Sequence, residues 1–227
     1  QSDIFLLPSR LMHGFGDQQP SKNFSMRICA NGMLSSIPRT CLYREMGTRI
    51  VQEPDPVLRK VAAPVLKEEF GSPKLKKIID NMSRALRGTE DGIGIAAPQI
   101  GISKQIFLVS EEALAIDKEL TNADERFEKK SKGEKPHWKH HVYINPEILK
   151  ISNKKQIGME GCLSIMGTYG KVARADKIKV RAYDENGKVF ETGATKLFAR
   201  LFQHEVDHLH GILFIDKAKN ITDLRNE

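Results

Sequence analysis

The sequence predicts a single domain that mixes helices with strands, preceded by an irregular arm, and three observations carry that expectation. Residues 72–88, SPKLKKIIDNMSRALRG, have the apolar spacing of an amphipathic helix. KIKVRAYD and KVFETG flank Glu185, Asn186 and Gly187 as the two arms of a hairpin do, and ATKLFARLFQHEVDHLHG reads as a long final helix. With 227 residues the chain is long enough to bury most of its apolar surface in one core. Hydrophobic residues make up 40% and charged residues 29%, an ordinary balance for a soluble protein. No apolar run approaches the roughly 20 residues of a membrane span, so no membrane role is expected.

Taken in order, residues 1–46 lack periodicity, and no acid stands between Asp17 and Glu45 while Lys22, Arg27, Arg39 and Arg44 do. This composition suits a disordered arm, a targeting peptide, or residues upstream of a true start near Met46. Regular pattern begins at Gly47, which makes 47–227 the folded domain. It opens with the extended, proline-marked IVQEPDPVLRKVAAPV. Ser72 then serves as N-cap with Pro73 at the first helical position, and Leu75, Ile78, Ile79, Met82 and Leu86 share one buried face. GIGIAAPQIG predicts a loop or short strand, and residues 105–109, QIFLV, a buried strand. Residues 111–141 mix both charges densely and read as a surface insertion, after which HVYINPEIL resumes strand character. In the hairpin, Asn186 and Gly187 are expected to supply positive φ angles, and Gly211 to stop the last helix.

The net charge of +7 does not point to a nucleic-acid reader, because acids are interspersed with the lysines and no long basic block occurs. It leaves room for attraction to an anionic partner such as ribosomal RNA. Three cysteines, Cys29, Cys41 and Cys162, are too few and odd in number for a disulfide framework. A reducing compartment fits best, with Cys162 free to act as a thiolate.

The chemistry concentrates in QHEVDHLHG, residues 203–211. Positions i and i+4 of a helix lie one above the other, so His204 and His208 can face one metal ion with Glu205 beside it as a general base. Leu197 and Leu201 continue the histidine face, which points the ligands into an apolar environment. Two histidines are an incomplete site. An H-x-x-G-x-x-H extension holds as far as Gly211 but meets Phe214 at its last position, and too little chain follows to build a later ligand helix. Of the upstream candidates, His137, His140 and His141 fall in the polar insertion, where mobile loops rarely hold catalytic ligands. Cys162 lies among small and apolar residues in MEGCLSI, and a thiolate is a strong ligand for a borderline metal. GIGIAAPQ satisfies G-x-G-x-x-A but lacks the strand before it and meets Pro98 after it, which argues against dinucleotide binding. Its Gln99 offers an amide to a developing oxyanion, or a hydrogen bond to its own loop.

Together and in this order, GIGIAAPQ, EGCLS and QHEVDHL resemble the three motifs of the peptide deformylase family, and the likeness runs from about Gly47 to the C-terminus. The resemblance implies an α+β fold in which small antiparallel sheets pack around the helix carrying the metal motif. It implies a metal-dependent hydrolase that removes the N-formyl group from the initiator methionine of nascent polypeptides, releasing formate. The metal ligands would be Cys162, His204 and His208, with Fe(II) first and Zn, Ni or Co as alternatives. Glu205 would move the proton from water to the leaving amine, and Gln99 with the Leu163 N–H would hold the oxyanion. Ile93, Gly94 and Gly167 would give backbone contacts to the peptide, with Arg200 and Leu201 at the wall of the methionine pocket. The partner would be a formylmethionyl nascent peptide with transient ribosome contact. The compartment would be the bacterial cytoplasm, or a mitochondrion or plastid if the arm is a targeting peptide. Two departures stand out: Met166 occupies a position commonly proline, which implies a looser loop over 166–170, and the 111–141 segment exceeds the usual connection. Glu160 and Arg174 fall where a buried ion pair would support the Cys162 loop.

Overall fold

Helix α1, Pro73–Arg87, begins as its sequence dictates: the Ser72 side chain accepts from the Leu75 N–H at 3.1 Å, and Pro73 fills the first turn. Its buried face is Leu75, Ile79, Met82, Ala85 and Leu86, with Ile78 at the margin. The computed structural model describes residues 49–89, 92–111, 113 and 139–224. The arm over 1–46 and most of the charged segment, including His137, lie outside the described residues.

Among the described residues eight strands follow in chain order: β1 Gly94–Ala96, β2 Ile106–Ser110, β3 His140–Ile151, β4 Lys155–Cys162, β5 Ile165–Ala175, β6 Lys177–Tyr183, β7 Val189–Thr195 and β8 Lys219–Asp223. They form a five-stranded sheet in the order β1-β2-β3-β6-β7 and a three-stranded sheet in the order β4-β5-β8. Every pairing within them is antiparallel. Helix α2, Lys196–Leu209, packs between the two sheets, so the expected α+β class of small antiparallel sheets around a C-terminal helix is the observed one.

The larger sheet is covered on both faces. Alternation along β2 sends Ile106 and Leu108 to α1, where they meet Ile79, Met82 and Leu86, and sends Phe107 and Val109 to α2. On the α2 side Phe107 stacks on Tyr143 at 4.8 Å, and Phe202 meets both rings edge-on at 5.0 and 4.6 Å. This two-sided burial makes β2 a continuous apolar run rather than an alternating one.

Several boundaries differ from the sequence reading. β3 starts at His140, so the insertion ends before the histidines His140 and His141. β7 runs through Thr195, and α2 therefore begins two residues later than its apolar pattern suggests. In the β6–β7 hairpin only Gly187, at φ +81°, has a positive angle among the turn residues. The Asp184 carboxylate accepts from the N–H groups of Asn186 and Lys188, both at 2.9 Å, and this side-chain turn replaces the tighter two-residue one. Residues 166–170 are not a loop, because they lie within β5. The C-terminus of α2 does end as expected. Gly211, at φ +71°, donates to the His208 carbonyl at 3.2 Å, and Ile212 donates to that of Asp207 at 3.0 Å, which is the Schellman arrangement.

A Cβ on Gly211 would stand 2.5 Å from the Arg59 carbonyl oxygen. Gly211→Ala therefore combines a left-handed backbone penalty with a clash, and a loss of about 2–4 kcal/mol is expected. Urea unfolding reads it as a lower midpoint at unchanged slope.

Candidate metal centre

On α2 the i, i+4 spacing brings the rings of His204 and His208 to a centroid distance of 5.0 Å. Cys162 arrives from the end of β4, with its Sγ 3.2 Å from His208 Nε2. The donor atoms of Cys162, His204 and His208 all lie within 4.8 Å of one another, and they are the one such group among the described residues. One sulfur and two ring nitrogens suit a borderline divalent ion, and three protein donors leave a coordination position open. Two buried atoms here, Glu205 Oε2 and His208 Nδ1, have no hydrogen-bond partner among the described residues. The donor set fits a metal. His140 and His141 are elsewhere, at 3.5 Å from Ser83 Oγ and 3.9 Å from Glu111 respectively.

Burial strongly perturbs the electrostatics of the site. Burial lowers His204, but hydrogen bonds with Cys162 and Glu160 reverse this and leave it well above its ordinary value. His208 falls well below its own, first through burial and then through the neighbouring charge of His204. The two rings are thus driven in opposite directions, and a cation taking their lone pairs would compete with protons for them. Burial pushes Glu205 up to about 7, with His204 opposing and Glu160 adding to the rise. A divalent charge beside it would oppose that shift.

Glu160 anchors the site. The carboxylate accepts both ends of the Arg174 guanidinium at 2.9 Å, Arg200 at 3.0 Å and His204 Nδ1 at 3.0 Å, with none of its surface exposed. Burial alone would raise Glu160, and the hydrogen bonds from Arg174 and His204 instead hold it far below the usual carboxylate range. Because His204 gives its Nδ1–H to this carboxylate, its Nε2 lone pair is left for a metal. The expected Glu160–Arg174 pair is therefore present, within a larger network. Arg174 also donates to Asp207, which accepts from Lys217 Nζ at 2.6 and 2.7 Å.

Arg200 is held within the fold. Its guanidinium donates to the carbonyls of Gln156, Gly158 and Val172 as well as to Glu160, so it braces the β4–β5 hairpin. Leu201 does lie by the site. A Cβ on Gly94 would stand 2.8 Å from Leu201 Cδ1 and 2.6 Å from Glu205 Oε1, so any side chain there would push the ends of those two side chains aside. Gln99 is buried in the short helical turn after β1. Its Oε1 accepts from the Ala96 N–H at 2.8 Å while its Nε2 points to Ser164 Oγ at 3.2 Å and Cys162 Sγ at 3.5 Å. Leu163 occupies the turn between β4 and β5 directly after Cys162, and Gly167, at φ +75°, lies in β5 beyond Met166, which is two-thirds exposed. β1 is an edge strand of its sheet. The Ile93 carbonyl accepts from Ser110, so alternation turns the Gly94 N–H and C=O to the open edge. Sequence spacing singles out neither Ser164 nor Asp207; each is short and polar, and only its fully or largely buried partners reveal it.

A buried His-Glu-x-x-His helix completed by a cysteine from a neighbouring strand, with a carboxylate poised beside an open metal position, defines a metallohydrolase. Residues 48–223 match the polypeptide deformylase family. The chain belongs to that family. A peptide deformylase of Carboxydothermus hydrogenoformans is 36% identical over 173 residues, covering 76% of this chain and 94% of that protein. A chloroplastic/mitochondrial peptide deformylase of Arabidopsis thaliana is 39% identical over 171 residues, 74% of this chain and 60% of the plant protein. The actinonin-bound crystal structure of a class I type b peptide deformylase from Acinetobacter baumannii superposes with a TM-score of 0.62 at 32% identity, covering 77% of this chain and 99% of that one. Both bacterial and plant organellar relatives thus occur. No described helix is long and apolar enough to cross a membrane.

Glu160→Gln leaves Arg174 and Arg200 buried without their full counter-charge. Stability is expected to fall by about 3–5 kcal/mol, and metal affinity by roughly 10–100-fold through loss of the His204 partner. Urea unfolding and metal titration measure the two effects, and a variant with parental values for both would refute the anchoring role.

Proposed function

We propose that this protein removes the N-formyl group from the initiator methionine of nascent polypeptides. The observation that carries the reading is the convergence of Cys162, His204 and His208 with Glu205 and the Gln99 amide in one buried site. In this reading residues 47–227 are the catalytic domain and 1–46 an extension. A divalent cation held by the three ligands, with Fe(II) first and Zn, Ni or Co as alternatives, supplies Lewis-acid polarisation of water and of the formyl group.

The chain's own residues do the rest. Glu205 accepts the proton of the attacking water, and its unpartnered Oε2 supports that role. As the formyl carbon becomes tetrahedral, the Gln99 Nε2–H and the Leu163 N–H donate to its oxygen. Glu205 then delivers the proton to the leaving nitrogen as the C–N bond breaks, giving formate and a free amino terminus. The open edge of β1 supports binding of the peptide as an added strand through the Gly94 N–H and C=O, with Ile93 beside them and Gly167 on the other side. Leu201 supports an apolar wall for the methionine. The net charge of +7 supports brief contact with the ribosome, whose RNA is anionic. A bacterial cytoplasm is the first compartment we propose, and a mitochondrion or plastid the alternative.

Formate release from formyl-Met-Ala-Ser by anaerobically prepared, Fe(II)-loaded protein tests the reading. Glu205→Ala is expected to lower the rate by about 10²–10⁴-fold with metal content unchanged. Casein cleavage without formate release would instead favour an endopeptidase. Chelation should abolish turnover, and Fe(II) added without oxygen should restore it; activity that survives complete metal removal would reject a metal-dependent mechanism.

A further inference from the structure

The Cys162 sulfur accepts from two N–H groups of the chain, the Gln99 side chain at 3.5 Å and the Ser164 backbone at 3.4 Å. The second belongs to the peptide group joining Leu163 to Ser164. At the other end of that same peptide, the Leu163 carbonyl accepts from Gln52 Nε2 at 2.8 Å. A peptide group is one conjugated unit. Donation into its oxygen draws charge away from its nitrogen, and the N–H becomes a stronger donor.

We propose that Gln52 sets the electron density of the Cys162 sulfur through this single peptide, and so tunes how the thiolate holds a divalent cation. Gln52 touches neither the ligand atoms nor the substrate edge, and it is a positioning residue. It reaches the turn from a segment clamped on both sides. The Val51 N–H donates to the Gln99 carbonyl at 2.7 Å, and the Glu53 N–H donates to the Ser164 carbonyl at 2.9 Å. Val51 and Val57 pack with Cys162, Ile165 and Phe214 in one apolar cluster, which keeps water from competing for the turn. The strap thus connects the turn carrying Cys162 to the segment carrying Gln99, and Gln52 is its one side chain that enters the peptide plane leading to sulfur. Outer hydrogen bonds of this kind orient ligands and adjust the metal they hold.

The inference rests on Cys162 as a metal ligand within the proposed reading, and not on the identity of the substrate. The test uses the full chain loaded with Co(II), whose thiolate-to-cobalt charge-transfer absorption reports the energy of the sulfur lone pairs. Gln52→Met keeps the length and removes the N–H; Gln52→Glu puts an acceptor in its place. Both are expected to move the band to longer wavelength, Gln52→Glu further, because weaker N–H donation raises the lone pairs. In the Zn-loaded Gln52→Met protein the Ser164 amide proton should move upfield. Gln52→Lys, which restores a donor, should return the band toward its parental position. Arg59→Ala loosens the strap by removing the Glu53 ion pair while leaving Gln52 in place, and it should keep the parental band.

A band unmoved in Gln52→Met and Gln52→Glu overturns the relay. So does an equal shift in Arg59→Ala, which would make the effect one of general loosening. A parent protein with no thiolate-to-cobalt band would overturn the ligand assignment itself, a result separate from any failure to release formate.

Discussion

The structure depends most on one buried carboxylate. Glu160 sits on β4, yet its partners come from β5 and α2, so a single charge holds the smaller sheet against the helix that carries the metal motif. Placing a carboxylate in an apolar interior is unfavourable unless its lone pairs are filled. Here two guanidinium groups and an imidazole fill them. The same bonds that make the burial tolerable also orient His204, and this couples the stability of the fold to the geometry of the site. Asp207 and Lys217 extend the arrangement toward the C-terminal segment, which returns to pair β8 with β5.

A site of this kind needs a dry and stiff surround. Residues Leu197 to Leu209 of α2 are buried without a break, so the helix has no solvent face on which to shed its polar groups. Gln203 illustrates the consequence: its amide bonds both the N–H and the C=O of Ala175, in the manner of another strand. Phe107, Tyr143 and Phe202 pack against one another on the larger-sheet side of α2, and Phe214 stacks near His204 on the other. In such surroundings fixed dipoles and charges act more strongly than in solvent, which suits a reaction whose barrier is chiefly the development of charge on oxygen. The same burial pushes the Glu205 carboxyl up to about 7.

Glycine at 94 shows how closely the two sides of the site approach. β1 lies at the edge of its sheet, and the missing side chain lets the Glu205 carboxylate approach that edge directly.

Sequence by itself determined the elements whose signals are local. The cap and apolar face of α1, the burial of β2, the stop at Gly211 and the metal-binding pair His204 and His208 all depend on residues a few positions apart, where helix and strand periodicity act directly. Cys162 was legible as a third ligand because the pair was incomplete, and the order of three motifs pointed to the family. Tertiary structure alone decided what depends on distant partners. Arg200 is tied to the β4–β5 hairpin because Glu160 and three backbone carbonyls take its donors. The 166–170 segment lies within β5 because β4 pairs Ile165, Tyr169 and Gly170 around it and β8 pairs Thr168 and Tyr169 on the other side. The Asn186 turn is wider than its dipeptide suggests because the Asp184 carboxylate bonds two backbone N–H groups. Gln52 meets Leu163 across 111 residues of chain. No periodicity records such a contact, since only the packing of the folded chain brings the two groups together.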